Sequence, residues 1–229
     1  MAFHSYQARG NDGHLAPFVP SRPPIPSAGR RPIDGTAQSV RAHNRRMGIT
    51  VVNLVSRPGS GVSTLLEQTR LAMQGRCGVL VLDNGQPGSD GRGGAADQRP
   101  VAADHLSALL GDHDPKPGTM VFLDSRLPDA AVADSDLGET FKLVVCDVTA
   151  DPDFPVNRPE RFADAELMVM TKVDLLQAGS PRVIRLVENA RRVKPGLRTM
   201  PISCETGHGM PDWLQWLDTA RILGLEAAE

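Results

Sequence analysis

The sequence predicts an α/β protein built on a doubly wound, mostly parallel sheet. Apolar runs of strand length alternate with helical stretches from residue 48 to residue 222, which is the pattern of repeated βαβ units. The runs are apolar nearly throughout, as expected of strands that helices cover on both faces. Residues 51–66 add a glycine loop between the first apolar run and a helix. Such folds bind ligands at the carboxyl edge of the sheet.

The predicted elements follow one another along the chain. A polar helix over residues 34–47 precedes the first strand. The six predicted strands are 48–55, 78–83, 119–124, 141–148, 165–172 and 198–203. The predicted helices between or after them are 62–75, 102–110, 180–193 and 209–222.

Three polar stretches interrupt this alternation, and each follows a predicted strand. Residues 84–99 are dense in glycine and predict a long mobile loop. Residues 125–138 and 149–160 are predicted to be irregular. All three therefore lie at the edge of the sheet where ligands bind.

Composition predicts one domain behind an N-terminal arm. Residues 1–33 are rich in Pro, Gly, Ser and Arg without apolar periodicity, so we expect a disordered arm there. Residues 34–229 are long enough to form one folded domain with a sizeable core.

Charge and composition exclude several classes of partner. A formal net charge of -2, a pI near 6.3 and an aromatic content of 4% do not predict nucleic-acid binding. No apolar run approaches the length of a membrane span, and no secretory signal is recognisable, so we expect no membrane partner. The three cysteines are widely spaced and odd in number, which favours a cytoplasmic location.

The glycine loop has the layout of a phosphate-binding loop, G-x-x-x-x-G-K-[ST]. Ser56 stands at its first position and Gly61 at its second glycine. Backbone N–H groups of Gly59, Ser60 and Gly61 are predicted to face an anion at a helix N-terminus. The site residues that follow are the candidate Mg²⁺ ligand Ser63 and the candidate phosphate ligand Thr64.

The lysine of this motif is replaced by Val62. That lysine places a cation on the β- and γ-phosphates in both the bound and the transition state. A charge-assisted hydrogen bond is worth about 1.5–3 kcal/mol, so its loss costs roughly tenfold to a hundredfold in affinity or rate. Taken alone, the glycines are also compatible with a simple tight turn.

Two further segments favour guanine as the base. Thr171, Lys172 and Asp174 follow the fifth apolar run in the order [NT]-K-x-D, in which the aspartate accepts hydrogen bonds from guanine N1–H and N2–H₂. The alternative role for Asp174 is a helix cap. Ser203 and Cys204 begin SCETG, which resembles the S-A-x loop whose backbone amide contacts guanine O6.

Residues 44–61, 135–176 and 188–217 resemble the HypB family of hydrogenase-maturation GTPases. The most specific stretch is ENARRVKPGLRTMPISCETGHGMPDWLQWL, and the resemblance spans roughly residues 38–222. It implies that 34–229 is a SIMIBI-like P-loop NTPase of the G-domain type, with GTP/GDP and Mg²⁺ as ligands. It further implies a homodimer, or a heterodimer with a paralogue, that acts with other maturation factors on the hydrogenase large-subunit precursor.

The departures from the family concern the metal and switch segments as well as the loop. The family's metal-binding G-C-H-L-D-A corresponds to residues 103–108, so the candidate Ni²⁺ or Zn²⁺ ligands are His105 and Asp104, which replaces the cysteine. Counting back from D-L-G-E places Leu127 at the switch glycine and Ala131 at a second cysteine. A soft metal site wants thiolate and imidazole ligands, and the thiolates are lacking.

Three more residues are candidates for catalysis. Asp83 and Asp124 end strands at the same edge, where either could hold Mg²⁺ or its waters, although a strand-terminal aspartate is also a common turn residue. The count of residues from D-L-G-E favours Asp124. Arg57 stands second in the loop, where it could replace the missing charge in cis or across a dimer, or be a solvated loop arginine.

Three functions are compatible with this sequence. The first is a guanine-nucleotide-binding accessory protein for nickel insertion with slow or absent GTP hydrolysis. The second is an active GTPase metallochaperone in which Arg57 or a partner supplies the charge. The third is a scaffold, or a regulatory partner of an intact paralogue, that binds no nucleotide.

Overall fold

The computed structural model describes residues 35–83, 103–126, 136–176 and 179–226. In these ranges the strands are β1 (Thr50–Ser56), β2 (Val79–Asp83), β3 (Met120–Arg126), β4 (Phe141–Asp147), β5 (Leu167–Thr171) and β6 (Arg198–Pro201). The helices are α1 (Gly35–Arg46), α2 (Val62–Met73), α3 (Ala103–His113), α4 (Phe154–Asn157), α5 (Pro159–Ala163), α6 (Pro181–Val193) and α7 (Met210–Glu226). A 3₁₀ turn, Val173–Leu175, follows β5.

The six strands form one parallel sheet in the order β2-β3-β1-β4-β5-β6. From β1 the chain passes first to one side, to β2 and β3, and then to the other, to β4, β5 and β6. This reversal makes the sheet doubly wound and places the topological switch point at the carboxyl end of β1. The predicted fold class is confirmed.

Helices bury both faces of the sheet, which explains why the strands are apolar throughout. One face packs against α2 and α7 in a cluster that contains Phe122 and the fully buried Trp213. The other face carries two clusters, one beneath α1 and α3 and one beneath α6 and the short helices α4 and α5. Because the strands are parallel, all their carboxyl ends lie at one edge of the sheet.

The predicted strands and the five predicted helices are present, with ends shifted by a few residues. The irregular stretch predicted for 149–160 is wrong in part, because α4 and α5 begin there. Both carry proline in the first turn, where its fixed φ suits a helix. Within 125–138, β3 continues to Arg126.

Several predictions lie outside the described residues. They are the arm at 1–33, the loop at 84–99 and the structure of 127–135. No helix in the part of the chain that the structure describes combines the length and the apolar character needed to cross a membrane.

Candidate functional site

The glycine loop joins the end of β1 to the start of α2 at the switch point. Gly59 and Gly61 have φ of +80° and +86°, a left-handed backbone that side chains with a Cβ rarely adopt. Gly61 is the N-cap of α2, and no side chain caps this helix. Because the first N–H groups of a helix have no intrahelical partner, the start of α2 presents donors to a ligand.

Two buried hydroxyls in this loop also indicate a ligand site. Ser56 and Ser60 are each 2% exposed, and their Oγ atoms have no hydrogen-bond partner in the protein. Buried polar atoms in native proteins are normally satisfied, so a ligand or an ordered water is expected here. Ser63 and Thr64 lie exposed in the first turn of α2. The residues of the loop therefore fit an anion such as a nucleotide phosphate.

Val62 has a packing role at the position of the missing lysine. Its side chain is 2% exposed and belongs to the core cluster with Leu54 of β1 and Leu65 of α2. Val62 therefore packs the first turn of α2 against the sheet and places no charge in the loop.

The predicted base-recognition residues close onto the glycine loop. The hydroxyl Oγ1 of buried Thr171 donates to the carbonyl oxygen of Ser60 at 2.5 Å. The Nζ of Lys172 donates to the carbonyl oxygen of Gly59 at 2.6 Å, and Lys172 itself has a left-handed backbone with φ of 58°. A Cβ on Gly61 would lie 3.5 Å from Thr171 Oγ1. The end of β5 and the glycine loop thus form one continuous surface.

A hydrogen bond orients the carboxylate of Asp174. Ser203 Oγ donates to Asp174 Oδ1 at 2.5 Å, and the backbone N–H of Thr206 donates to Ser203 Oγ at 3.1 Å. The N-cap of the 3₁₀ turn is Lys172, and no side chain caps it, so the alternative role of Asp174 as a helix cap is wrong. Exposed Asp174 is therefore positioned to accept hydrogen bonds from a ligand.

Cys204 lies half-buried beside this carboxylate. Burial, and to a smaller extent the negative charge of Asp174, raise the pKa of the Cys204 thiol. Burial also raises the pKa of the Cys77 thiol, and that of the Cys146 thiol to about 12.

The acidic candidates for Mg²⁺ meet at the same edge. The Cα atoms of Asp83 and Asp124 are partners in the register of β2 and β3. The side chain of Asp124 is buried, and its Oδ2 lies 3.1 Å from Nε of Arg126. The side chain of Asp83 lies outside the described residues. Asp124 is therefore placed at the sheet edge as predicted, and is engaged by a guanidinium.

Arg57 extends toward α4. Its guanidinium carbon lies 5.1 Å from the centre of the Phe154 ring, and that of buried Arg161 lies 5.5 Å from the same centre. Cation–π contacts of this kind hold a guanidinium over a ring face. The half-buried Arg57 is thus packed against the segment after β4, and its role at the phosphates stays a prediction.

The candidate nickel or zinc ligands are located by their backbone alone. Asp104 and His105 lie in the first turn of α3, and their side chains are outside the described residues, as are Leu127 and Ala131. Across the described ranges, no group of three or more His, Cys, Asp or Glu side chains could hold a metal ion.

The sequence analysis missed a buried polar network and Arg126. Asn53 Nδ2 donates to Glu139 Oε1 at 3.5 Å, and Ser125 Oγ donates to Asn53 Oδ1 at 2.8 Å. The backbone N–H of Leu137 donates to Glu139 Oε2 at 2.9 Å. Two features of the sequence pointed to them. Asn53 is a polar residue inside an otherwise apolar strand, and Arg126 is a cationic residue two positions after Asp124.

The chain is similar in sequence to several known proteins. A scan against protein-family models finds no match. The hydrogenase maturation factor HypB of Rhizobium leguminosarum bv. viciae is 34% identical over 202 residues, which span 82% of this chain and 67% of that protein. The chain belongs to the HypB family of hydrogenase maturation factors.

Other HypB proteins are similarly identical to this chain. The Azotobacter vinelandii protein is 31% identical over 207 residues, covering 85% of this chain and 68% of that one. The Escherichia coli (strain K12) protein is 34% identical over 183 residues, covering 75% of this chain and 63% of that one. The resemblance inferred from the three motif stretches is confirmed.

Solved HypB structures share the fold of this HypB-family chain. HypB from Archaeoglobus fulgidus superimposes with a TM-score of 0.67 at 22% identity, covering 80% of this chain and 95% of that one. HypB from Helicobacter pylori, solved in complex with nickel, gives 0.63 at 20% identity, covering 82% of this chain and 94% of that one. At these identities the structures support the P-loop fold.

Proposed function

We propose that this protein is a guanine-nucleotide-binding accessory factor for nickel insertion into [NiFe]-hydrogenase, with slow or absent GTP hydrolysis. The observation that carries the proposal is the contact between β5 and the glycine loop. Thr171 and Lys172 donate to the carbonyls of Ser60 and Gly59 from one end of the loop. A base recognised there and phosphates held by the loop would belong to the same ligand.

The base specificity follows from the hydrogen-bonding pattern at Asp174. A carboxylate has two acceptor oxygens, each able to accept more than one hydrogen bond, and donates none, so it matches guanine N1–H and N2–H₂ and opposes the acceptor N1 of adenine. Ser203 holds one carboxylate oxygen in place. The remaining acceptor capacity of Asp174 would face the ligand. Cys204 follows Ser203 in the loop that would approach guanine O6.

Slow hydrolysis follows from the buried valine. Because Val62 packs into the core, it cannot stabilise charge on the β- and γ-phosphates. Ser63 and Asp124 remain the candidate residues for Mg²⁺, which would neutralise part of that charge when bound, with Asp83 beside them. In this structure the carboxylate of Asp124 is paired with Arg126.

Family membership supplies the cellular role in this proposal. The relatives are hydrogenase maturation factors, and one solved relative binds nickel. We expect this chain to act as a homodimer, or with an intact paralogue, on a hydrogenase large-subunit precursor and its maturation factors. Nickel or zinc would be handled as cargo, with His105 and Asp104 as the candidate ligands.

The test combines nucleotide binding with phosphate release. Saturating GTP or GDP with Mg²⁺ should raise the melting temperature, because a ligand at a hundred times its Kd stabilises the native state by about 2.7 kcal/mol. Single-turnover GTP incubation should release little phosphate. Phosphate release that Ser63→Ala lowers would establish the active GTPase instead. No shift with either nucleotide would contradict the proposal and favour the scaffold. Ni²⁺ titration of His105→Ala in the same series tests the metal site.

A further inference from the structure

The end of β3 brings a cation to the side of the glycine loop. Arg126 is the last residue of β3, and its Cα is the register partner of Ser56, where the loop begins. Side chains alternate between the faces of a strand. Phe122 belongs to the core cluster beneath α2, so Asp124 and Arg126, two and four residues later, continue on that face. Arg126 therefore stands at the carboxyl edge, on the face where α2 starts.

The same face of the sheet is where the loop lacks its charge. Val62 packs into the cluster that Phe122 and Leu54 help to form. A lysine at this position of a phosphate-binding loop reaches the β- and γ-phosphates. The missing charge and the guanidinium of Arg126 thus lie on the same face and at the same end of the sheet.

Two other cationic side chains near the loop make contacts on the other side of β1. Lys172 donates to the carbonyl of Gly59 from the end of β5. Arg57 lies over the ring of Phe154, which follows β4. Both β4 and β5 lie on the opposite side of β1 from β3. Arg126 is placed on the side where Asp124 marks the candidate Mg²⁺ position.

We infer that Arg126 supplies to the phosphates of the bound nucleotide a positive charge that contributes to affinity and that Val62 does not provide. This inference rests on the proposed function and names the phosphate-binding cation of that site. The side chain of Arg126 is 41% exposed, and the carboxylate of Asp124 orients it through Nε. A guanidinium binds phosphate through a fixed fork of N–H donors, which suits this position beside the loop.

The first experiment compares Arg126→Gln with the native protein by displacement of a fluorescent GDP analogue. Affinity for GDP and GTP should fall tenfold to a hundredfold, the value of one charge-assisted hydrogen bond. Affinity for guanosine, which has no phosphate, should not change. The matched control is Arg70→Gln, because Arg70 also pairs with a carboxylate, that of Glu67, but lies on the exposed surface of α2. It should leave all affinities unchanged.

A second pair of variants separates charge from packing. Arg126→Lys should retain part of the affinity that Arg126→Gln loses. Val62→Lys should raise GDP affinity at least tenfold in the Arg126→Gln background and less in the native background, because the two cations would share one role. Melting temperatures without nucleotide establish that each variant is folded.

The outcomes distinguish this inference from the proposed function. Equal GDP affinity of native protein and Arg126→Gln would overturn the role of Arg126, and so would a parallel loss for guanosine. A native protein that binds no guanine nucleotide would instead contradict the proposed function.

Discussion

At the residue scale, the candidate site divides into two halves that different strands supply. Asp174 and Ser203, which follow β5 and β6, form a hydrogen-bonded pair that we propose binds the base. Asp124 and Arg126, from the end of β3, form an ion pair beside the phosphate end of the loop. Val62 takes part in the packing of the core. Base recognition and phosphate recognition can therefore be tested by separate substitutions.

Asp174→Asn should change the preferred base. The amide offers N–H donors where the carboxylate offered an acceptor, so it should bind the C2 carbonyl of xanthine and lose its match to guanine. We expect GDP affinity to fall at least tenfold and XDP affinity to rise, measured by displacement of a fluorescent nucleotide. Glu205→Gln, which removes an exposed carboxylate from the same loop, is the control and should change neither. Unchanged GDP affinity in Asp174→Asn would remove the base-recognition assignment.

Glu139 should make stability depend on pH. Burial raises the pKa of its carboxyl. The charge of Lys142 and the hydrogen bond from the Leu137 N–H lower the pKa, but by less than burial raises it. A folded-state pKa above the unfolded value means that the native protein binds the proton more tightly. The contribution of Glu139 to the free energy of unfolding is therefore present below the unfolded pKa and is lost as pH rises through the folded pKa.

Glu139→Gln should remove this dependence. Urea unfolding from pH 4 to pH 8 should show the variant gaining stability relative to the native protein as pH rises. The exposed carboxylate of Glu188, replaced in Glu188→Gln, provides the control and should track the native curve. A difference that is constant across pH would show that the carboxyl does not titrate in this range.

At the scale of elements, α1 docks onto the short turn that leads into β4. Arg41 donates from Nε to the carbonyl of Glu139 at 2.9 Å and pairs with Asp136. Gly138 has φ of +85°, and a Cβ there would lie 2.7 Å from the carbonyl oxygen of Ala37. The turn is thus held tightly between α1 and β1, on the same side of the sheet as the buried Asn53 network.

Gly138→Ala should be more destabilising than an alanine at an open glycine. The control is Gly196→Ala, because Gly196 has φ of +79° and a Cβ added there would meet no atom within 4 Å. Both variants carry the strain of a left-handed alanine, of order 1 kcal/mol, and only Gly138→Ala adds a backbone clash. We expect an additional loss of about 1–3 kcal/mol in the free energy of unfolding, from urea midpoints. Equal losses would show that α1 is displaced at no cost.

At the scale of the whole molecule, local patterns predicted the fold, and they located the two segments that we propose bind the nucleotide. Apolar runs, the glycines and the order Thr171-Lys172-Val173-Asp174 are contiguous in sequence, so their structure could be inferred directly. The contact from Thr171 to Ser60 joins residues 111 positions apart, and only the fold brings them together. The placement of Arg126 beside Ser56 required the register of β1 and β3.

Packing decided the remaining differences. The guanidinium of Arg57 lies over the face of Phe154 in α4, a helix that the sequence did not predict. The role of Val62 in the core likewise depends on the fit of α2 against the sheet. These features arise from contacts between elements, which periodicity and motif spacing do not encode.

The proposed function depends on guanine-nucleotide binding by a loop that lacks its lysine. Isothermal titration calorimetry of the native protein with GDP and with ADP, both in Mg²⁺ buffer, tests it most directly. We predict saturable binding of GDP and at least tenfold weaker binding of ADP, because Asp174 opposes the adenine acceptor. No binding of GDP, or equal binding of the two nucleotides, would contradict it.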